Sequence, residues 1–193
     1  MVYNDELSQF INTAPQITLE DCFKYTEPGM FLEFGVATGA SLRRIANKVT
    51  DIVWGFDSWE GLPEALASEG NNVLNWKGEF RCPPPTNLPA NVRLLTGLFQ
   101  DTLPDFLKTH GGPVSFVHMD ADLYSSTKFV LDQLKDRLDR AVVVFDEITG
   151  HPVYEDNEGR AFREFLAETG YKIICLGSTN PVGTGAAFKL FRE

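Results

Sequence analysis

Five short apolar runs, separated by stretches with helical spacing, constrain the fold of this chain more than any other feature. Nearly every position in these runs is apolar, and β-branched and aromatic residues are frequent, which is typical of parallel strands covered on both faces. Strands that alternate with helices predict a doubly wound, mostly parallel α/β sheet. The predicted strands are residues 30–36, 51–57, 92–97, 113–120 and 141–147.

Between these strands, apolar residues recur at i, i+3, i+4 and i+7, which is the period of an amphipathic helix. We expect one helix to start near Ser41, one to follow a cap at Thr102, and one to follow Ser125 and Ser126. The apolar stripes are Leu42, Ile45, Ala46 and Val49; Leu103, Phe106 and Leu107; Leu131, Leu134 and Leu138; and Phe162, Phe165 and Leu166.

The alternation of strands and helices breaks towards the end of the sequence. Residues 171–177 and 185–191 are apolar runs, and the short link between them has no helical pattern. A link this short fits an antiparallel hairpin. The sequence therefore predicts a Rossmann-like sheet of seven strands that closes with an antiparallel hairpin and one reversed strand.

A length of 193 residues suits a single domain with a sizeable core. We expect one or two short helices within residues 1–28, where they could cover a site. Residues 65–91 are irregular and rich in proline. A loop of this length is often a lid or a binding segment, although a plain surface insertion would give the same pattern.

Charge and composition argue against nucleic acid and membranes as binding partners. The net charge is −10 and the basic residues are scattered, whereas a nucleic-acid surface needs clustered lysine and arginine. No apolar run approaches the ~18 residues of a membrane span, and the start lacks a signal-peptide pattern. The three cysteines have no metal or disulfide spacing, so we expect reduced thiols and a cytoplasmic protein.

A glycine turn follows the first predicted strand. Gly35 and Gly39 lie between that strand and the helix near Ser41, and this is where open α/β sheets bind ligands. Glycine permits a tight turn and close approach of a ligand, and the helix N-terminus suits an anion. The G-x-G-x-x-G pattern of a dinucleotide site is absent, so an NAD-dependent reductase is disfavoured.

Glu33 precedes this turn by two residues and changes the expected ligand. A carboxylate there repels a pyrophosphate but attracts an ammonium or a sulfonium. The amino-acid end of S-adenosylmethionine would fit, with Glu33 facing its cation and the helix end with Ser41 facing its carboxylate. A structural connection that binds nothing is the alternative.

Two further positions are consistent with a nucleoside. Asp57 ends the second strand, 22 positions after Gly35, where an acid can accept hydrogen bonds from ribose hydroxyls. This feature alone does not choose between NAD and S-adenosylmethionine. Gly97 and Phe99 follow the third strand, where an adenine could pack, although Phe99 would suit the core equally well.

Carboxylates follow the fourth and fifth strands, at Asp120, Asp122, Asp146 and Glu147. Because adjacent parallel strands lie ~4.8 Å apart, we expect these acids to meet at one edge of the sheet. Their pKa values should rise, or a hard cation such as Mg²⁺ should lie among them. A metal there would hold a substrate hydroxyl and lower its pKa. Alternatively, Asp122 or Ser125 caps the next helix, and the other acids bind loop backbone.

Histidines are candidate bases. His151 follows the fifth strand and is a candidate general base, although a loop histidine is usually only solvated. His118 shares a strand face with Asp120 and is expected to be a satisfied core residue. Trp59, like the other aromatic residues near the site, could line an acceptor pocket or belong to the packing.

The stretches "FDSWEGLPE", "GLFQDTLPDFL", "HMDADLYSSTKFVLDQL" and "VVVFDEITG", together with E-x-G-x-A-x-G, resemble class I S-adenosylmethionine-dependent methyltransferases. The resemblance covers about residues 31–170 and is strongest to the macrocin O-methyltransferase (TylF-type) family, which methylates hydroxyls on sugars and natural products. The resemblance implies that Asp120, Asp146 and Glu147 are metal ligands. Leu123 stands where catechol-type relatives have a lysine, which excludes a lysine base at that position.

The sequence therefore predicts an S-adenosylmethionine-dependent O-methyltransferase for a small-molecule hydroxyl, assisted by Mg²⁺ or a similar ion. We expect a small-molecule acceptor as its partner, and no binding to nucleic acid or to a membrane. The sequence does not decide whether the protein forms a homo-oligomer. A metal-independent enzyme with an aspartate base, or a non-catalytic nucleotide-binding or interaction domain, are the alternatives. Asp120 and His151 are the predicted catalytic residues. The predicted cofactor residues are Glu33, Gly35, Val36, Ala37, Gly39, Ser41, Asp57, Ser58, Gly97, Phe99 and Asp120.

Overall fold

A mixed β-sheet runs through the centre of the computed structural model, which describes residues 6–67, 73–74, 76–180 and 183–192. Within these residues the central sheet has seven strands, and two shorter strands pair with each other outside it. In chain order the strands are β1 (Met30–Phe34), β2 (Val53–Asp57), β3 (Leu66–Ala67), β4 (Val73–Leu74), β5 (Val92–Thr96), β6 (Val114–Met119), β7 (Val142–Phe145), β8 (Lys172–Ser178) and β9 (Ala186–Phe191).

The order of strands across the central sheet is β5-β2-β1-β6-β7-β9-β8. Strands β1, β2, β5, β6 and β7 pair in parallel, whereas β9 is antiparallel to both of its neighbours. This arrangement confirms the predicted doubly wound sheet with its hairpin of β8 and β9. The chain moves outward from β1 through β2 to β5 and then crosses to β6, so the order reverses between β1 and β6, where ligands bind in such sheets.

Helices cover both faces of the sheet. A 3₁₀ helix precedes β1, and a π helix leads directly into the last α-helix. None of the helices in the described ranges is both long and apolar enough to cross a membrane. The helices are α1 (Glu6–Thr13), the 3₁₀ helix (Glu20–Tyr25), α2 (Ala40–Ala46), α3 (Phe99–Thr109), α4 (Tyr124–Leu134), α5 (Pro152–Tyr154), the π helix (Glu155–Gly159) and α6 (Arg160–Thr169).

The central strands are buried on both sides, as their continuous apolar runs predict. All residues of β6 and β7 are buried. One side packs against α1, α3, α4 and α6, for example where the Phe145 ring lies 4.8 Å from the Phe162 ring. The other side packs against α2 and the 3₁₀ helix, where the Phe23 and Phe116 rings lie 5.0 Å apart. The sheet and its two covers therefore form a three-layer core.

The N-terminal helices lie within the predicted 1–28 segment. Leu7 and Ile11 of α1 are buried in the core on the β8 side of the sheet. The Ile17 backbone N–H donates to the Ser178 carbonyl at 2.9 Å, which ties the segment to the end of β8. These contacts place the segment against the sheet, and a role in covering the site remains a prediction.

Two helix starts differ from the predicted ones, whereas α2 begins at Ala40, next to the predicted Ser41. The helix α3 begins at Phe99, so the predicted cap at Thr102 is wrong. The Thr102 hydroxyl instead donates to the Leu98 carbonyl at 3.0 Å, a bond that threonine can make inside a helix. The helix α4 begins at Tyr124, before the two serines that marked its predicted start.

Candidate active site

A cavity of about 320 Å³ opens at the carboxyl ends of the parallel strands. It contains most of the predicted site residues, although not all of them. Those that line it are Gly35, Ala37, Asp57, Ser58, Gly97, Phe99, Asp120, Asp146 and Glu147. Those that do not line it are Glu33, Val36, Gly39, Ser41 and His151.

The glycine turn requires its glycines for steric reasons. Gly35 has a φ of +86°, and a Cβ added there would lie 1.7 Å from the Asp120 carbonyl oxygen. Gly39 has a φ of +77° and precedes the first residue of α2. The absence of side chains therefore lets the end of β1 pass directly against the end of β6.

Asp57 organises this turn through its carboxylate. One oxygen accepts hydrogen bonds from the backbone N–H groups of Val36 and Ala37, both at 2.8 Å. The other accepts from the Trp59 N–H at 2.7 Å, and the Trp59 indole donates to the Ala37 carbonyl at 2.9 Å. Trp59 is buried packing rather than a pocket wall. Asp57 still lines the cavity, and its carboxylate keeps lone pairs for ribose hydroxyls.

Glu33 lies behind the turn, where it is fully buried. It accepts a hydrogen bond from the Ser41 hydroxyl and lies 3.1 Å from Nδ1 of His118. Burial lowers the pKa of His118, but the bond to Glu33 and the nearby acids outweigh it, so this pKa is raised. His118 is thus a buried, paired histidine, as predicted. Both of these contacts use Oε1, and Oε2 has no hydrogen-bond partner among the described residues, so a contact of Glu33 with a ligand cation stays a prediction.

Four carboxylates form one wall of the cavity, as the strand register predicts. Burial, reinforced by the charges of Asp146 and Asp122, raises the pKa of Asp120 to about 8, although His118 opposes the shift. Burial and the charges of Glu147 and Asp146 raise the pKa of Asp122 to about 7. The pKa of Glu147 is also raised, by burial and by Asp146. This acid wall (Asp120, Asp122, Asp146 and Glu147) would gain stability from a proton or a cation.

The donor chemistry of the acid wall fits a hard divalent ion, because all four side chains offer carboxylate oxygens and repel one another. The present arrangement of side chains is not a closed metal site. Throughout the described part of the chain, no group of three histidine, cysteine, aspartate or glutamate side chains is placed to hold a metal ion. A bound ion would therefore need side-chain rotation or oxygens from substrate and water.

The helix-capping alternative for the acid wall is wrong. Asp122 has a φ of +58° and lines the cavity, and the Ser125 hydroxyl donates to Glu64. The first N–H of α4, from Tyr124, donates instead to Oδ1 of Asn157 at 3.0 Å. The sequence did not single out Asn157, because the contact crosses between distant segments.

His151 is exposed and lies outside the cavity lining. Its Nδ1 accepts a hydrogen bond from the Val153 N–H at 3.2 Å, and its ring lies 5.4 Å from the Tyr154 ring. It is close enough to Glu147 to favour the charged carboxylate. A role for His151 as a base therefore stays a prediction.

Another part of the cavity lining is apolar and includes one residue of the predicted lid or insertion. Leu62, Pro63, Phe80 and Leu98 line it, and Phe80 and Leu98 are exposed. Backbone hydrogen bonds tie Leu62 to the segment around residue 79. The 65–91 segment thus contributes to the cavity, although residues 68–72 and 75 of it lie outside the described ranges.

Arg43 fastens this segment to the glycine turn. Its guanidinium donates to the carbonyls of Thr38 and Gly39 at 2.8 and 2.9 Å, and to the Thr86 carbonyl at 2.8 Å. A Cβ on Gly39 would approach Pro85 to 3.1 Å, which shows how closely the proline-rich stretch lies on the turn. The 65–91 segment and the glycine turn are therefore directly connected through Arg43.

Comparisons with known proteins agree with this geometry. Residues 32–148 match the family model described as a methyltransferase domain. The chain is 33% identical over 138 residues to 8-demethyl-8-(2,3-dimethoxy-alpha-L-rhamnosyl)-tetracenomycin-C 4′-O-methyltransferase of Streptomyces olivaceus, covering 58% of this chain and 49% of that protein. It thus spans about half the length of this curated relative.

Two solved structures share the fold. The calicheamicin methyltransferase CalS11 superposes with a TM-score of 0.67 at 21% identity, over 88% of this chain and 76% of that one. The O-methyltransferase NovP superposes with a TM-score of 0.61 at 24% identity, over 96% of this chain and 80% of that one. With the family model matched across both the glycine turn and the acid wall, the chain belongs to the methyltransferase domain family and has its Rossmann-like fold.

Proposed function

We propose that this protein transfers a methyl group from S-adenosylmethionine to a hydroxyl of a small molecule of the sugar or natural-product type. One observation carries the proposal: the glycine turn and the acid wall face a single cavity within a methyltransferase domain. The tetracenomycin relative is named as a 4′-O-methyltransferase, which supports oxygen as the acceptor atom. The "DADLYSST" and "FDE" motifs favour the macrocin-type branch of the family.

The proposed cofactor site lies on the β1, β2 and β5 side of the cavity. Gly35 and Ala37 would approach the methionine end, Asp57 would accept from the ribose, and Phe99 would pack against the adenine. The Phe99 ring is fixed edge-on against Phe34 at 5.3 Å. Glu33 and Ser41 would then act through the turn that they support. This role refines the direct contact expected from the sequence.

The acid wall would bind and activate the acceptor. In the transfer, the acceptor oxygen forms a bond to the methyl carbon while the bond from that carbon to sulfur breaks. The hydroxyl proton passes to a carboxylate, and Asp120, with a pKa of about 8, exchanges protons near neutral pH. Asp120, Asp146 and Glu147 would hold Mg²⁺ if it binds, and such an ion would lower the pKa of the hydroxyl.

The charge of the cavity restricts the acceptor. Besides the acid wall, the lining contains Asp57, apolar side chains and the neutral polar side chains of Ser58, Gln100 and Ser126, without a lysine, arginine or histidine. Residues outside the described ranges contain no lysine, arginine or histidine either. A neutral or cationic hydroxylated acceptor with one apolar face is thus favoured over an anionic one.

Isothermal titration with S-adenosylmethionine tests the cofactor, with NAD as the competing ligand. We expect binding of S-adenosylmethionine alone, weakened at least tenfold by Asp57→Ala, because the turn loses three hydrogen bonds. Asp105→Asn is the control, since Asp105 is an exposed aspartate that pairs only with Lys108 in the described structure. Binding of NAD in place of S-adenosylmethionine would refute the proposal.

Release of S-adenosylhomocysteine from a panel of glycosides and phenols tests the reaction and its metal. We expect Asp120→Asn to lower turnover by about 100-fold or more. Full activity of this variant would show that Asp120 is not needed for the transfer, whereas no turnover by the wild type would indicate a non-catalytic domain. EDTA should lower turnover and Mg²⁺ restore it. Unchanged turnover in EDTA would identify a metal-independent enzyme with Asp120 as base, which its raised pKa also supports.

A further inference from the structure

The loop that carries the first half of the acid wall has an unusual backbone. This carboxylate loop, residues 120–123, places Asp120, Ala121 and Asp122 in the cavity lining. Asp122 has a φ of +58°, a left-handed conformation that is uncommon for a residue with a side chain. The Leu123 N–H donates to the Ala121 carbonyl at 2.6 Å, which makes the loop tight. Such a conformation persists only where its surroundings hold it in place.

Two consecutive side chains of the π helix provide that hold. Oε1 of Glu158 accepts a hydrogen bond from the Ala121 N–H at 3.0 Å. Oδ1 of Asn157 accepts one from the Tyr124 N–H at 3.0 Å, while its Nδ2 donates to the Val153 carbonyl at 2.7 Å. The π helix therefore holds the carboxylate loop through hydrogen bonds at both ends of the loop. We call these two hydrogen bonds, from the Ala121 and Tyr124 N–H groups, the grip.

The start of α4 depends on this grip. Leu123 occupies its N-cap position and has no side chain that can accept a hydrogen bond. Asn157, from a helix distant in sequence, supplies the missing acceptor. Both Asn157 and Glu158 are almost fully buried, at 3% and 1% exposed, so water does not replace them.

The π helix packs closely against the segment that follows β7. A Cβ on Gly159 would lie 2.5 Å from the Ile148 carbonyl oxygen, so glycine permits the close approach to the end of β7. π turns inside α-helical segments are rare overall, and those that occur are often found at functional sites. Here the π turn continues directly into α6 and presents two neighbouring polar side chains to one loop.

The geometry points to Asn157 and Glu158 as positioning residues that fix the carboxylate loop, and with it Asp120 and Asp122, in the proposed active site. The effect of these two residues on catalysis rests on the proposed function. The grip itself is a property of the fold. Neither side chain lines the cavity, so each acts through the loop backbone and not on substrate.

The variants follow from the chemistry of Glu158. Burial raises its pKa well above the ordinary range, although the Ala121 N–H opposes this, so a neutral side chain matches it. Glu158→Gln keeps an acceptor oxygen of the same reach, whereas Glu158→Leu removes it. Phe165→Leu is the matched control, because Phe165 is equally buried, lies in α6 and packs on Tyr171, away from the loop.

Hydrogen exchange of residues 119–125 and S-adenosylmethionine titration measure the effect. We expect Glu158→Leu to speed exchange in this segment and weaken binding, each by about tenfold. Glu158→Gln should stay within about twofold of the wild type on both measures. Phe165→Leu should lower the melting temperature without changing exchange in this segment.

Asn157 gives a second test if Glu158→Leu fails to fold. Asn157→Leu removes the oxygen that accepts from the Tyr124 N–H and the amide that donates to the Val153 carbonyl, so it should also speed exchange in this segment. Wild-type exchange in both leucine variants, or equal acceleration by Phe165→Leu, would overturn the inference. Failure of the wild type to bind S-adenosylmethionine would reject the proposed function, while the exchange data would still decide the grip.

Discussion

Gly35 shows how a single residue without a side chain determines the shape of the cavity. The end of β1 and the end of β6 meet at this point, since a Cβ would overlap the Asp120 carbonyl oxygen. The glycine turn and the acid wall are therefore adjacent because of this contact. A ligand bound to the turn would lie beside the carboxylates without any movement of the sheet.

Substitution of Gly35 by alanine should both destabilise the fold and remove ligand binding. The new Cβ clashes with backbone, and the φ of +86° adds strain, so we expect a loss of about 3 kcal/mol or more in the free energy of unfolding. Urea denaturation measures the loss. Gly170→Ala shares the positive φ but meets no atom within 4 Å, so it should cost only about 1 kcal/mol.

At the scale of elements, the 65–91 segment and the glycine turn are joined through the Arg43 guanidinium. We expect Arg43→Lys to weaken S-adenosylmethionine binding about tenfold, because an ammonium cannot span three carbonyls as the planar guanidinium does. Titration calorimetry measures the change.

Arg137→Lys provides the matched control for this substitution. Arg137 donates in the same way to two carbonyls, those of His110 and Leu107, away from the cavity. Its replacement should affect stability but leave the affinity unchanged. Equal affinities in the wild type and in Arg43→Lys would show that the attachment of the 65–91 segment to the glycine turn does not affect binding of S-adenosylmethionine.

The elements that the sequence predicted well are those whose signal is local. Continuous apolar runs identified the strands, because strands buried on both faces are mostly apolar; Ser115 and His118 are the only polar residues of β6, and β7 has none. The acid wall followed from the same register, since residues after parallel strands meet at one edge. The glycine turn was equally visible as a local pattern.

What the sequence did not show depends on contacts between distant segments. The cap of α4 comes from Asn157, which lies 33 residues away along the chain from Tyr124. The sequence also did not indicate that Glu33 is fully buried and pairs through one oxygen with His118 and Ser41. A helix cap from a distant segment leaves no repeating pattern in the sequence. The direction in which a buried carboxylate points leaves none either.

At the scale of the whole molecule, an acidic protein concentrates part of its charge at one wall. The net charge of −10 counts the carboxylates of the acid wall as ionised. Because these carboxylates are buried, their ionisation costs free energy. Between pH 4 and 8 the folded protein keeps a proton on Asp120 that the unfolded chain has released. Rising pH in this range therefore costs stability, opposite to the usual behaviour of a salt-bridged aspartate.

Asp120→Asn removes this cost. Because the pKa of Asp120 is about 8 against an ordinary 3.8, the variant should gain stability relative to the wild type as pH rises from 5 to 8. The gain has an upper limit of about 1.4 kcal/mol per pH unit. Urea denaturation in EDTA measures it. Asp105→Asn should show a flat difference over this range, since Lys108 lowers the pKa of Asp105. A flat difference for Asp120→Asn would contradict the raised pKa.

The reversed strand β9 has a consequence for the order in which the sheet assembles. It lies between β7 and β8 but follows both along the chain, so β8 has no neighbour in the sheet before β9 inserts. Until that insertion, one edge of β7 carries unpaired backbone groups that another chain could pair with. Aggregation during synthesis or refolding should therefore compete with this late step, however stable the finished sheet is.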